Sequence, residues 1–131
     1  MASSQPLRVL CVDDNACVLE MLGALLSKQG YAVTTATNGA HALERVTTEG
    51  RVFDVWIIDA AMPQLDGKRF LAAAAEAGHR AHVLVFSASL DATDLEVFQA
   101  MGVAEIVKKP DLAGLLAGVR SYAAIAARAA G

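Results

Sequence analysis

Short apolar runs alternate with longer helical patterns along the chain. The run at 7–12 is β-rich and stops abruptly at Asp13, Asp14 and Asn15. Val18, Leu22, Leu25 and Leu26 then recur near the 3.6-residue period, which predicts a helix over 16–29 that ends at Gly30. Residues 31–36 predict a second strand and 40–48 a second helix. The continuous apolar run at 55–58 predicts a third strand, ended by Asp59. A loop with Met62, Pro63, Asp66 and Gly67 leads to a helix over 68–77. Residues 83–86 predict a fourth strand ending at Ser87, 91–101 a helix, 105–108 a fifth strand, and 112–128 an alanine-rich last helix.

Five strands alternating with five helices imply βαβ units and a parallel sheet. Strands apolar on both faces need helices on both sides, so the expected fold is α/β, doubly wound and three-layered. In such folds the functional crevice lies beyond the carboxyl ends of the strands. The polar residues that terminate the strands are therefore the candidates: Asp13 and Asp14, Asp59, Ser87, and Lys108 and Lys109 before Pro110.

Composition narrows the picture. The chain has 131 residues with 11 Lys plus Arg and 14 Asp plus Glu, a net charge of −3. That length suits one domain, and the negative balance argues against a grip on a nucleic-acid backbone. Hydrophobic residues make up 55 % and charged residues 19 %, enough apolar content for a core, although much of it is alanine. No apolar run approaches the ~18 residues of a membrane span, and the first six residues lack the apolar centre of a signal peptide, so a cytoplasmic location is expected. Cys11 and Cys17 have no CxxC spacing and are expected to be buried or half-buried free thiols. His41, His79 and His82 are scattered and form no ligand set.

Three carboxylates drawn to one edge repel each other by roughly 3 kcal/mol per pair at about 5 Å. A divalent cation would relieve that, and an all-oxygen site suits Mg²⁺. Add a lysine for a phosphoryl oxygen and a serine hydroxyl, and the set has the equipment for phosphoryl transfer to a carboxylate. Each element alone also has an ordinary reading. Asp13-Asp14-Asn15 could cap a helix, Asp59 a turn, Ser87 a turn, and Lys109-Pro110 could open a helix. Their joint placement at strand ends separates the two readings.

The chain resembles the receiver domain of two-component response regulators. The matching stretches are Val9 to Asn15, Ala36 to Leu43, Asp59-Ala60-Ala61-Met62-Pro63-Gln64-Leu65-Asp66-Gly67, Val85 to Ala88, and Val107-Lys108-Lys109-Pro110. The resemblance implies a receiver over 7–129 after a flexible tail at 1–6, a flavodoxin-like sheet of order 2-1-3-4-5, and Asp59 as phosphoacceptor. It implies Mg²⁺ held by Asp14 directly, by Asp13 mainly through water, by Asp59 and by the Ala61 carbonyl. Lys109, before a cis proline, would pair with the phosphoryl group, Lys108 would face outward, and Ser87 would move to bind the phosphoryl group. Implied partners are a histidine kinase or histidine phosphotransfer protein, which would meet helix 1 at Ala16, Val18, Leu19 and Glu20 together with the loop after Lys109. An output partner of unknown identity would follow, with the chain a monomer or weak homodimer, no direct nucleic-acid contact, and no catalysis beyond its own phosphorylation and dephosphorylation.

Departures matter too. Ile106 stands where many receivers carry Tyr or Phe, Asp111 follows Pro110 where Phe is common, and Ala61 offers no side chain to an attacking water. A scaffold that works without phosphorylation is one alternative, and a metal-dependent phosphohydrolase another. The first is opposed by the intact acidic set and lysine. The second lacks a DxD pattern after strand 1.

Overall fold

Asparagine and aspartate open the helices, as expected of side chains that accept the orphan amides of a first turn. Asn15 accepts from the amides of Cys17 and Val18, Asn38 from His41, Asp66 from Arg69, and Asp111 from Gly114. Asp91 and Asp94 cap reciprocally. In this computed structural model, residues 5–48, 52–62 and 65–130 are described. The elements run β1 (Arg8–Val12), α1 (Ala16–Lys28), β2 (Ala32–Ala36), α2 (Gly39–Thr47), β3 (Val55–Ile58), α3 (Gly67–Glu76), β4 (His82–Ser87), α4 (Ala92–Ala100), β5 (Glu105–Lys108) and α5 (Leu112–Ala130). The order and type of every element match the hydrophobic pattern. The boundaries move by one or two residues where a cap claims a position: Asp91 belongs to the cap of α4, and α2 and α3 begin on the glycines after Asn38 and Asp66.

The sheet is wholly parallel in the order β2-β1-β3-β4-β5. Alternate residues of the central strands feed two cores. Leu10, Val12, Trp56, Ile58, Val83 and Val85 pack with α2, α3 and α4, around fully buried Phe70 and Phe98. Val9, Cys11, Val55, Ile57, Leu84 and Phe86 pack with α1 and α5. Burying each such large side chain contributes about 1.5–3 kcal/mol, so strands buried on both faces hold the sheet rigid under its polar ends. Tyr31 and Leu7 fall outside the strands but pack on the second core.

Two expectations are corrected here. Cys17 is exposed, because it lies in the outward-facing first turn of α1, while Cys11 is buried in β1. Leu19 is only 6 % exposed and belongs to the core under α1, so of the expected docking residues Ala16 and Glu20 face solvent and Leu19 does not.

Candidate acidic site at the strand ends

The sheet ladder continues one residue past the strands and so fixes the backbone of the site. Asp13 donates its amide to the Ala36 carbonyl at 3.1 Å, Asp59 to Val12 at 3.0 Å, and Lys109 to Ser87 at 3.0 Å. Asp13, Asp59 and Ser87 are buried there, at 2 %, 7 % and 2 % exposure, while Asp14 is exposed. One carboxylate oxygen from each of Asp13, Asp14 and Asp59 lies within 4.8 Å of the others.

The polar contacts are few and specific. Lys109 Nζ donates to Asp13 Oδ2 at 2.7 Å and to Asp59 Oδ2 at 3.2 Å. Ser87 Oγ donates to Asp59 Oδ1 at 2.8 Å, and the Ala61 amide donates to the same oxygen at 3.3 Å. The Asn15 amide donates to Asp13 Oδ1 at 2.9 Å. Three carboxylates and one ammonium leave two negative charges in excess. Burial is the main force pushing the Asp13 carboxyl above its ordinary range. The hydrogen bonds from Lys109 and Asn15 oppose it, and the charge of Asp59 adds to it. Burial also works against the charge on Lys109, yet its hydrogen bond to Asp13 and the fields of Asp59 and Asp13 win and raise its pKa.

The donor set fits a hard divalent cation: three carboxylates, all oxygen, with unbalanced negative charge. Asp14 also lines an open cleft of about 480 Å³ with Ala60, Ala61, Met62, Asp66, Lys68, Ser89 and Asp94, which gives a hydrated ion a way in. Among the described residues, no other His, Cys, Asp and Glu cluster has this spacing.

Every strand-end candidate from the sequence thus lies at one edge, and the ordinary readings sort out individually. Asn15, not the two aspartates, caps α1. Ser87 bonds Asp59 instead of closing a turn. Lys108 is exposed, the Lys109–Pro110 bond is cis, and Asp111 caps α5. Ile106 pairs with Val85 across the sheet and packs half-buried against the α4 side of the core. Pro63 and Gln64 lie outside the described residues.

Sequence reasoning missed the rim of the cleft. Lys68 and Asp94 form an ion pair that ties the start of α3 to α4, and Lys68 also lies 5.9 Å from the centre of the Phe98 ring. The partners are 26 residues apart and share no local pattern.

Comparison with known proteins agrees with this geometry. The model of the response regulator receiver domain matches residues 9–120. The chain is 32 % identical over 118 residues to the chemotaxis protein CheY of Treponema pallidum, covering 89 % of this chain and 71 % of that one. It is 33 % identical over 116 residues to the response regulator MprA of Mycobacterium leprae, covering 88 % of this chain but only 50 % of that one. Among solved structures, the CheX–CheY–BeF3–Mg²⁺ complex of Borrelia burgdorferi superposes with a TM-score of 0.82 at 27 % identity, covering 90 % of each chain. Sheet order, acidic edge and matched length together make this chain a member of the response regulator receiver family of two-component systems.

Proposed function

We propose that Asp59 accepts a phosphoryl group from a phosphohistidine and that the modification switches partner binding. Receiver domains are signalling modules rather than classical enzymes, and they work with histidine kinases or phosphotransfer proteins. In this reading one Asp59 oxygen bonds to phosphorus as the P–N bond of the donor breaks, and the ring nitrogen leaves with the electron pair. Water later attacks the aspartyl phosphate and returns the free carboxylate. The receiver is taken to span 7–129; of the tail expected at 1–6, residues 1–4 lie outside the described residues.

The observation that carries this reading is Lys109 Nζ held between Asp13 and Asp59 while Ser87 donates to Asp59. A cation and a hydroxyl are already aimed at the one buried carboxylate that continues the central strand. Lys109 then balances the added phosphoryl charge, and Ser87 exchanges its Asp59 partner for a phosphoryl oxygen. Asp14 and Asp59, with the Ala61 carbonyl, would hold Mg²⁺ directly and Asp13 mainly through water; the chemistry a bound Mg²⁺ supplies is neutralisation of charge on the phosphoryl oxygens. A phosphorylation-independent scaffold leaves that arrangement of Lys109 and Ser87 without a purpose, and a phosphohydrolase is opposed by the absence of a DxD pattern after β1.

The test is intact mass after incubation with Mg²⁺ and a small-molecule phosphodonor, for wild type and Asp59→Asn. One phosphoryl adduct in wild type, lost with time and missing from the variant, is expected. An adduct of equal yield on Asp59→Asn would remove Asp59 from the role.

A further inference from the structure

The helix α2 begins at Gly39, directly after its cap Asn38, and Gly39 is buried. A Cβ on Gly39 would lie 2.0 Å from the carbonyl oxygen of Leu65, 2.8 Å from its carbonyl carbon and 3.0 Å from its Cβ. Leu65 leads into Asp66, the cap of α3, and then into Gly67. The Gly67 amide donates to the Ala60 carbonyl at 3.2 Å. A Cβ on Gly67 would come within 2.7 Å of the Asp59 carbonyl oxygen. A three-residue backbone relay therefore touches Gly39 at one end and the backbone of Asp59 and Ala60 at the other. Gly23 in α1, by contrast, has nothing within 4 Å of its notional Cβ.

We propose that Gly39 is a positioning residue for Asp59: the bare start of α2 sets how deeply the Leu65 carbonyl seats, and through Gly67 it sets the backbone of the acceptor. This rests on Asp59 being the phosphoacceptor. Intrinsic helix propensity alone would favour alanine at position 39. Only the contact with Leu65 makes alanine harmful, since backbone cannot step aside as a flexible side chain can. Shifting the relay moves Asp59 relative to Lys109, whose amide is held by the Ser87 carbonyl at the end of β4, outside the relay.

The experiment compares phosphorylation rates by acetyl phosphate with Mg²⁺, read by intact mass well below each melting temperature. Wild type, Gly39→Ala, Gly23→Ala and Val46→Ala are used, Val46 being a buried α2 residue seven positions past Gly39. Gly39→Ala is expected to slow phosphorylation by about tenfold or more, in keeping with the cost of displacing a reacting group. Gly23→Ala and Val46→Ala are expected to stay within about twofold of wild type, although Val46→Ala lowers the melting temperature. A wild-type rate in Gly39→Ala overturns the proposal, and so does equal slowing in Val46→Ala, which would make the effect one of stability alone. Should Gly39→Ala not fold, Leu65→Gly, which loosens the same relay, is read against the same controls with the same outcomes. An adduct that survives Asp59→Asn overturns the Asp59 reading and this proposal with it; an Asp59-dependent adduct formed at full rate by Gly39→Ala overturns this proposal alone.

Discussion

Replacing Lys109 by methionine removes the one ammonium that contacts both buried carboxylates and keeps the length of the stem. At an effective dielectric of about 20, its contacts at 2.7 and 3.2 Å carry gross attractions of about 6 and 5 kcal/mol. Asp13 and Asp59, with oxygens no farther apart than 4.8 Å, would then repel by about 3.5 kcal/mol or more. Desolvation of the three ions cancels most of the gross attraction. Breaking a buried pair by removing one partner typically costs about 3–5 kcal/mol. Protonation limits the damage: at about pH 7.5, neutralising one carboxyl of ordinary pKa costs about 5 kcal/mol, which sets a ceiling. The expected loss without metal is therefore about 3 kcal/mol, measured by urea unfolding followed by circular dichroism. At about pH 5.5 the same protonation costs only about 2 kcal/mol, so the deficit must shrink there. Millimolar Mg²⁺ should restore much of it at neutral pH, because the cation replaces the lost positive charge. A deficit below about 1 kcal/mol at neutral pH, or one indifferent to pH and metal, would refute the electrostatic account of this site.

The remaining predictions concern single groups. Cys17 should react with a thiol reagent in the native protein while Cys11, buried and with its pKa pushed up to about 12, should react only on unfolding; equal rates would contradict the placement of α1. Mg²⁺ should change the emission of Trp56 by less than about a tenth, because the ring packs on Phe70 on the α2–α4 side of the sheet, and strong quenching would show that geometry wrong. Burial holds the His82 pKa below its ordinary 6.5, with Glu105 pulling the other way, so below that pH the unfolded chain binds more protons than the folded one. Stability should accordingly rise with pH up to about 6.5, and His82→Asn should flatten that rise in urea midpoints; parallel curves would discount His82.

What could be read from the sequence was what depends on near neighbours. The run at 55–58 is apolar at every position, and only a strand covered on both faces uses such a run, so β3 and its neighbours were legible. Asp13, Asp59, Ser87 and Lys109 followed, since parallel strands must deliver their last residues to one edge. The sheet order came from family resemblance, because hydrophobic pattern does not say which strands pair. The ion pair of Lys68 with Asp94 and the seat of Leu65 on Gly39 were illegible for the same reason: each joins separate elements, and neither leaves a period in the chain. Cys17 and Leu19 were misjudged because helical periodicity gives the apolar face only to within a residue or so, and the first turn of α1 rotates Cys17 outward.

The parallel sheet also sets a direction for charge. Each strand arrives at the acidic edge and each helix departs from it, so the five helix starts, with their aspartate and asparagine caps, gather around the carboxylates. A helix start carries about half a positive elementary charge, felt within its first turn. In sequence, α1 begins three residues after Asp13. Part of the electrostatic tolerance of this edge therefore belongs to no side chain. It comes from chain polarity, survives any substitution that leaves the helix starts in place, and would be lost if α1 were to fray from its first turn.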